Sequence, residues 1–189
     1  RFRAAGWVRS SSRCDRQVYV SNSTCTLRQA SCYVPRYAIA IGSNRRGAHG
    51  SPVAEVAAAI AALGGVVAES PVLSSAPIGP SIRRFANAVI LVESAVAPPA
   101  MLAQLKAIER AFGRRRGARW GARVIDLDIV AWSGGAWRSK GLCVPHAAFQ
   151  DRDFVLAPLR AIAPVWRDPR TGLTPRHLLA RLRKVKRLG

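Results

Sequence analysis

Arg123 to Asp128 read R-V-I-D-L-D, and Ile129 comes next. Ile125, Leu127 and Ile129 alternate with Asp126 and Asp128. Residues two apart on a strand share a face. The spacing therefore puts both carboxylates on one side of a strand whose other side packs into a core. Two neighbouring carboxylates repel, which raises one pKa unless a cation intervenes. Mg²⁺ binds through one or two carboxylates together with substrate phosphates. Just upstream, G-R-R-R-G-A-R-W-G-A-R carries Arg114, Arg115, Arg116, Arg119 and Arg123. Their planar guanidinium groups suit phosphate oxygens. Together these residues point to Mg²⁺-dependent chemistry on a nucleoside triphosphate. A lone D-x-D also arises on any half-buried strand beside a solvated basic loop. The weight therefore rests on the pairing of carboxylates with arginines and on the motifs nearer the C-terminus.

A chain of 189 residues fits one domain with a substantial core. Its 49% apolar and 21% charged content is ordinary for a globular protein. No apolar run reaches the roughly 18 residues of a membrane span. A formal charge of +20 would ordinarily suggest nucleic acid or an anionic surface. However, 26 Arg against 4 Lys is a bias that GC-rich coding produces, and the charge is spread along the chain. Residues 1–36 carry +6 and residues 37–189 the remaining +14. The expectation is a cytoplasmic monomer without a nucleic-acid or membrane partner. Cys14, Cys25, Cys32 and Cys143 form no C-x-x-C pair and have no His at zinc spacing. They read as reduced and incidental.

Residues 1–36 are rich in Ser, Arg and Cys and lack a sustained apolar period. They read as a disordered extension. Their acid-poor composition resembles organellar targeting segments, but without a clear amphipathic helix. The organised domain, 37–189, begins with the buried strand Y-A-I-A-I-G. Ser51 and Pro52 cap a helix that Gly64-Gly65 stops. V-V-A-E-S-P-V-L-S-S reads as one strand with a Pro irregularity, and F-A-N-A-V-I-L-V-E-S as another. Pro98-Pro99 opens a helix with Met101, Leu102, Leu105, Ile108 and Phe112 on one face. The arginine loop and the D-x-D strand come after it, and S-G-G-A within 132–139 reads as a hairpin turn. The order is β-α-β-β-α-β. It predicts an α+β, ferredoxin-like sandwich, with an antiparallel sheet on one side and helices on the other. Two further helical patterns extend it, near Arg152–Arg160 and from Thr174-Pro175 onward.

Seven ordered blocks between 38 and 159 carry a family resemblance. They are A-I-A-I-G-S-N, A-P-I-G-P, F-A-N-A-V, E-R-A-F-G-R-R-R, R-W-G-A-R-V-I-D-L-D-I, V-P-H and R-D-F-V-L-A-P-L. In this order they resemble 6-hydroxymethyl-7,8-dihydropterin pyrophosphokinase, the folate-pathway enzyme. The family moves the terminal diphosphate of ATP to the pterin hydroxymethyl group and releases AMP. The resemblance implies two Mg²⁺ ions held by Asp126 and Asp128, with ATP as co-substrate. It implies catalytic roles for Arg114 and Arg123 beside the two aspartates. ATP contacts would come from Glu109, Arg116, Arg119, Trp120, His146 and Arg152. Arg115 falls between matched positions. Pterin contacts would come from Ser75, Ala76, Ile78 and Asn87, with Trp120 and Phe154 offering stacking faces. Phe85 stands where the family often has Tyr and reads as a core residue.

Some positions depart from the family. Ala147 replaces a common aromatic, and Gly141 and Cys143 replace polar or basic residues. The segments 116–119 and 79–85 are short. These changes bear on nucleotide affinity and loop closure more than on the reaction. A nucleotidyltransferase also pairs G-S with D-x-D, but there the two lie close together; here Ser43 and Asp126 are 83 residues apart. An RNA-binding module of this fold needs exposed aromatics on its central strands, and no such strand is visible.

Overall fold

The computed structural model describes residues 34–77, 82–113 and 123–188. The expectations placed on 1–33, Ile78, Arg114, Arg116, Arg119 and Trp120 lie outside these residues.

Strand β1 (Arg36–Ser43) pairs antiparallel with β4 (Phe85–Glu93) on one side and β5 (Asp126–Trp132) on the other. β2 (Val66–Glu69) and β3 (Leu73–Ser75) both pair with β4, so the sheet runs β2/β3, β4, β1, β5. With helices α1 (Pro52–Ala61) and α2 (Pro98–Ala111), this is the ferredoxin-like order. The stretch expected as one strand is two. Pro71 has no N–H for a ladder. Ser70 fills the break: its N–H donates to Val89 O, and its Oγ accepts Val89 N–H at 3.0 Å.

α1 starts as its sequence dictates. Ser51 Oγ accepts the Ala54 N–H at 3.2 Å, and Pro52 occupies the first turn. α1 and α2 place Val56, Ala59, Met101 and Leu105 against Tyr37, Ile39, Ile41, Ile90, Leu127 and Ile129. The opposite face is also covered. Helices α3 (Asp153–Ile162) and α4 (Pro175–Leu188) set Val155, Leu156, Leu159, Leu178 and Leu179 against Ala38, Val89 and Val130. The sheet is thus sandwiched between two helical layers rather than backed by one.

The hairpin expected within 132–139 is only half present. Gly135 (φ 108°) makes the turn, and its N–H reaches Trp132 O at 3.1 Å. The next strand, β6 (Trp137–Ser139), then pairs with β7 (Leu142–Val144) in a separate ribbon rather than with β5. The turn folds tightly over the Trp132 ring, so that a Cβ on Gly134 would collide with the indole. β7 leads through the cis Val144–Pro145 bond and a short 3₁₀ turn (Phe149–Asp151) to α3.

Candidate active site

Alternation along β5 does what the sequence predicts. Leu127 and Ile129 enter the α1/α2 core, and Asp126 and Asp128 lie half-exposed on the other face. α3 and α4 cover that face around Val130 but leave its Asp126 end accessible. The β1 ladder sets Gly42 opposite Asp126 and Ala40 opposite Asp128. Across the other side of β1, Gly42 faces Asn87 of β4. One glycine therefore separates the carboxylate pair from Asn87. A Cβ there would lie 3.1 Å from Asn87 Oδ1 and 3.8 Å from Phe85 Cδ1. Gly42 thus keeps the floor between the two polar groups open.

Three cationic or polar side chains surround the aspartates. Arg123 Nη1 donates to Asp126 Oδ2 at 2.6 Å. Arg123 is held in place by Asn44, which is buried: Asn44 N–H donates to Arg123 O at 3.2 Å, and Asn44 Oδ1 accepts Arg123 N–H at 2.9 Å. Arg152 Nη1 lies 3.9 Å from Asp128 Oδ2, and its guanidinium stands 6.0 Å from the Phe154 ring centroid. His146 is anchored by its N–H to Val130 O at 2.9 Å. Its Nδ1 accepts the Ala148 N–H at 3.2 Å. That bond leaves Nε2 to carry the proton in the neutral ring.

The electrostatics reflect this crowding. Burial holds the Asp128 carboxyl above the usual carboxylate range, and the like charge of Asp126 pushes the same way. His146, Lys106 and Arg152 oppose that rise. Burial holds His146 below its ordinary value; Asp128 opposes this, while Arg152 adds to it. A hard divalent cation fits the donor set: two adjacent carboxylates, one destabilised by the other, with the guanidinium groups of Arg123 and Arg152 beside them. Among the described residues no group of three or more His, Cys, Asp or Glu side chains is placed to hold a metal ion.

Asn87 is buried, and its Nδ2 donates to Ser75 Oγ at 2.8 Å. Ser75 closes β3 at the same sheet end, where it pairs with Phe85, and the exposed Ala76 comes directly after it. Phe154 and Phe85 are half-buried. The structure therefore gathers Arg123, Asp126, Asp128, His146 and Arg152, with Phe154 beneath Arg152 and Asn87 and Ser75 on the strands beyond β1. Glu109 is placed differently. It is fully buried on α2, where its Oε1 accepts the Leu127 N–H at 2.9 Å and the Lys106 ammonium at 2.7 Å. Sequence reasoning passed over Gly42, Asn44 and Lys106. Gly42 and Asn44 stand inside the A-I-A-I-G-S-N block, and Lys106 one turn before Glu109.

A ferredoxin-like sandwich with a carboxylate pair and cations at one end of its sheet has the layout of a phosphoryl-transfer enzyme. Residues 38–164 match the family described as 7,8-dihydro-6-hydroxymethylpterin-pyrophosphokinase (HPPK), and the chain belongs to that family. It is 37% identical over 153 residues to the 2-amino-4-hydroxy-6-hydroxymethyldihydropteridine pyrophosphokinase of Pseudomonas aeruginosa, a match covering 78% of this chain and 92% of the relative. It is 40% identical over 100 residues to the Synechocystis protein of the same name, covering 53% of this chain and 51% of that one. Against that relative the match spans about half its length. The Plasmodium falciparum HPPK-DHPS wild type with pteroate has a similar fold, with a TM-score of 0.59 at 15% identity over 79% of this chain and 42% of that one.

Proposed function

We propose that this chain transfers the β,γ-diphosphate of ATP to the hydroxymethyl group of 6-hydroxymethyl-7,8-dihydropterin, in folate biosynthesis. The observation that carries the reading is the Asp126–Asp128 pair, set on one sheet face between Arg123, His146 and Arg152. In this reading Asp126 and Asp128 hold two Mg²⁺ ions, which when bound neutralise the triphosphate and stabilise the attacking and leaving oxygens. Arg123 and Arg152, already beside the carboxylates, bind phosphate oxygens and hold the chain of phosphates in line. His146 donates from Nε2 to a phosphate oxygen, because its Nδ1 is occupied by Ala148. Arg114, Arg116 and Arg119 add phosphate contacts from the sequence before β5, and Trp120 a face for nucleotide or pterin.

Asn87, fixed by Ser75, presents a donor and an acceptor to the pterin edge. Ser75, Ala76 and Ile78 supply backbone contacts, and Phe154 a stacking surface. Glu109, expected to contact ATP, is buried on α2 and supports the site through the Leu127 N–H instead. The protein works as a monomer in the cytoplasm. No helix of the described residues is long and apolar enough to cross a membrane. Isotope position tests the bond that breaks. Label from β-³²P ATP should move to the pterin, and label from α-³²P ATP should stay in free AMP. Label from α-³²P ATP on the acceptor would mean nucleotidyl transfer instead.

A further inference from the structure

Among the described residues β5 is the last strand of its sheet, with no further strand of that sheet along its outer edge. Unpaired edge groups are ordinarily left to water or to another chain. At Leu127, the residue between the two aspartates, α2 side chains take the place of a strand. Glu109 Oε1 accepts the Leu127 N–H at 2.9 Å. Lys106 Nζ donates to the same Glu109 oxygen at 2.7 Å and makes a longer contact of 3.4 Å to Leu127 O. The Leu127 N–H belongs to the peptide that joins Asp126 to Leu127. Its carbonyl belongs to the peptide that joins Leu127 to Asp128. The two α2 side chains therefore grip both peptides that carry the carboxylates.

From this grip we infer that Lys106 and Glu109 are positioning residues that set the spacing and direction of Asp126 and Asp128 through the Leu127 backbone. The inference rests on the reading of Asp126 and Asp128 as metal ligands. Three features support a positioning role. Glu109 and Leu127 are both fully buried, so this hydrogen bond is sheltered from water. Losing the acceptor would leave a buried N–H unsatisfied. Lys106 is 35% exposed, and its ammonium holds Glu109 Oε1 in line with Leu127. A carboxylate pair that must grip cations at one spacing gains from peptides that cannot twist.

The test compares Glu109→Ala, Glu109→Gln and Lys106→Met in the full chain. Mn²⁺ affinity is read by electron paramagnetic resonance with a non-hydrolysable ATP analogue. Nucleotide affinity is read separately in EDTA, and Leu127 amide exchange by NMR. Glu109→Ala should weaken Mn²⁺ binding by at least about tenfold and speed Leu127 exchange. Nucleotide affinity in EDTA should stay within about twofold. Glu109→Gln keeps an oxygen acceptor for Leu127 and should recover most of the Mn²⁺ affinity. Lys106→Met, at a partly exposed position, supplies the answer if Glu109→Ala does not fold, with a smaller loss of the same kind. Unchanged Mn²⁺ affinity in the folded variants would overturn the inference, as would a loss confined to nucleotide binding in EDTA. Mn²⁺ binding by the unaltered chain tests the metal-ligand reading itself. Its absence there would overturn that reading independently of the variant contrast.

Discussion

Arg123 and Asp126 are joined by a 2.6 Å ion pair, whereas Asp128, two residues on, lies 3.9 Å from Arg152. The two carboxylates of the D-x-D pair are thus unequal. One is closely neutralised by the guanidinium of Arg123, whose backbone is held by Asn44. The other is the more strained charge, raised in pKa by burial and by its neighbour.

This inequality separates stability from activity at Asp128. Replacing it with Asn removes a destabilised charge while keeping its shape. Asp128→Asn should melt at the same temperature as the parent or higher. Turnover should fall on the order of 10³-fold, since metal-held charge stabilisation contributes several kcal/mol. The raised carboxyl pKa also fixes the sign with pH: the folded state binds this proton more tightly than the unfolded chain. Its contribution to stability therefore declines as pH rises from about 3.9, the unfolded value, through the folded one. Differential scanning fluorimetry of parent and variant against pH measures this. A variant that melts lower at neutral pH, with normal turnover, would contradict both halves.

Asp153 provides the opposite sign. Its hydrogen bond to Lys186, at 2.8 Å, holds its pKa below the usual range and ties α3 to α4. The pair contributes stability above the unfolded carboxylate pKa and loses it as pH falls through the lowered folded one. Both side chains are about half exposed, so the contribution is below ~1 kcal/mol. Asp153→Asn should reduce chemical-denaturation stability slightly at neutral pH, and the difference should vanish in acid. It should leave turnover unchanged.

His146 should be neutral at physiological pH, because burial lowers its pKa. Its proton should sit on Nε2, since Nδ1 accepts from Ala148. ¹⁵N NMR of the ring distinguishes the two nitrogens directly. A doubly protonated ring at neutral pH, or a proton on Nδ1, would contradict the hydrogen-bond assignment.

Gly42 is placed for its missing side chain. Its Cα pairs with Asn87 on one side and Asp126 on the other. An added methyl would press on Asn87 Oδ1 at 3.1 Å. Gly42→Ala should raise the KM for the pterin about tenfold, the scale of mild overpacking, with a smaller effect on ATP. Titrations of the two substrates separately would show it, and an unchanged pterin KM would contradict the role.

Much of the site was legible because strands have a period of two. Alternation alone placed Asp126 and Asp128 on one face, and Ser51-Pro52 and Gly64-Gly65 marked α1. Glu109 was harder. A glutamate near a helix end reads as a solvated charge or a ligand contact, yet Met101, Leu105 and Glu109 recur every four residues and share the buried stripe. That spacing signalled a buried carboxylate, but the backbone N–H it meets depends on how α2 packs on β5. The break at Pro71 was visible, whereas the compensation by the Ser70 hydroxyl was not. The partner of β6 was also hidden. A turn fixes where the chain reverses but not which neighbour then pairs with it, and here β6 pairs with β7. The helices over the second sheet face were expected as elements. Where they pack depends on Val89 and Val130, whose side chains point away from the first core.

Diphosphate transfer releases one AMP for each pterin diphosphate formed, so product stoichiometry is the deciding measurement. The chain would be incubated with ATP, Mg²⁺ and 6-hydroxymethyl-7,8-dihydropterin, and the products separated by chromatography. Free AMP and pterin diphosphate should appear in equal amounts, dependent on Mg²⁺. ADP as the nucleotide product, or no AMP from a folded sample, would contradict it.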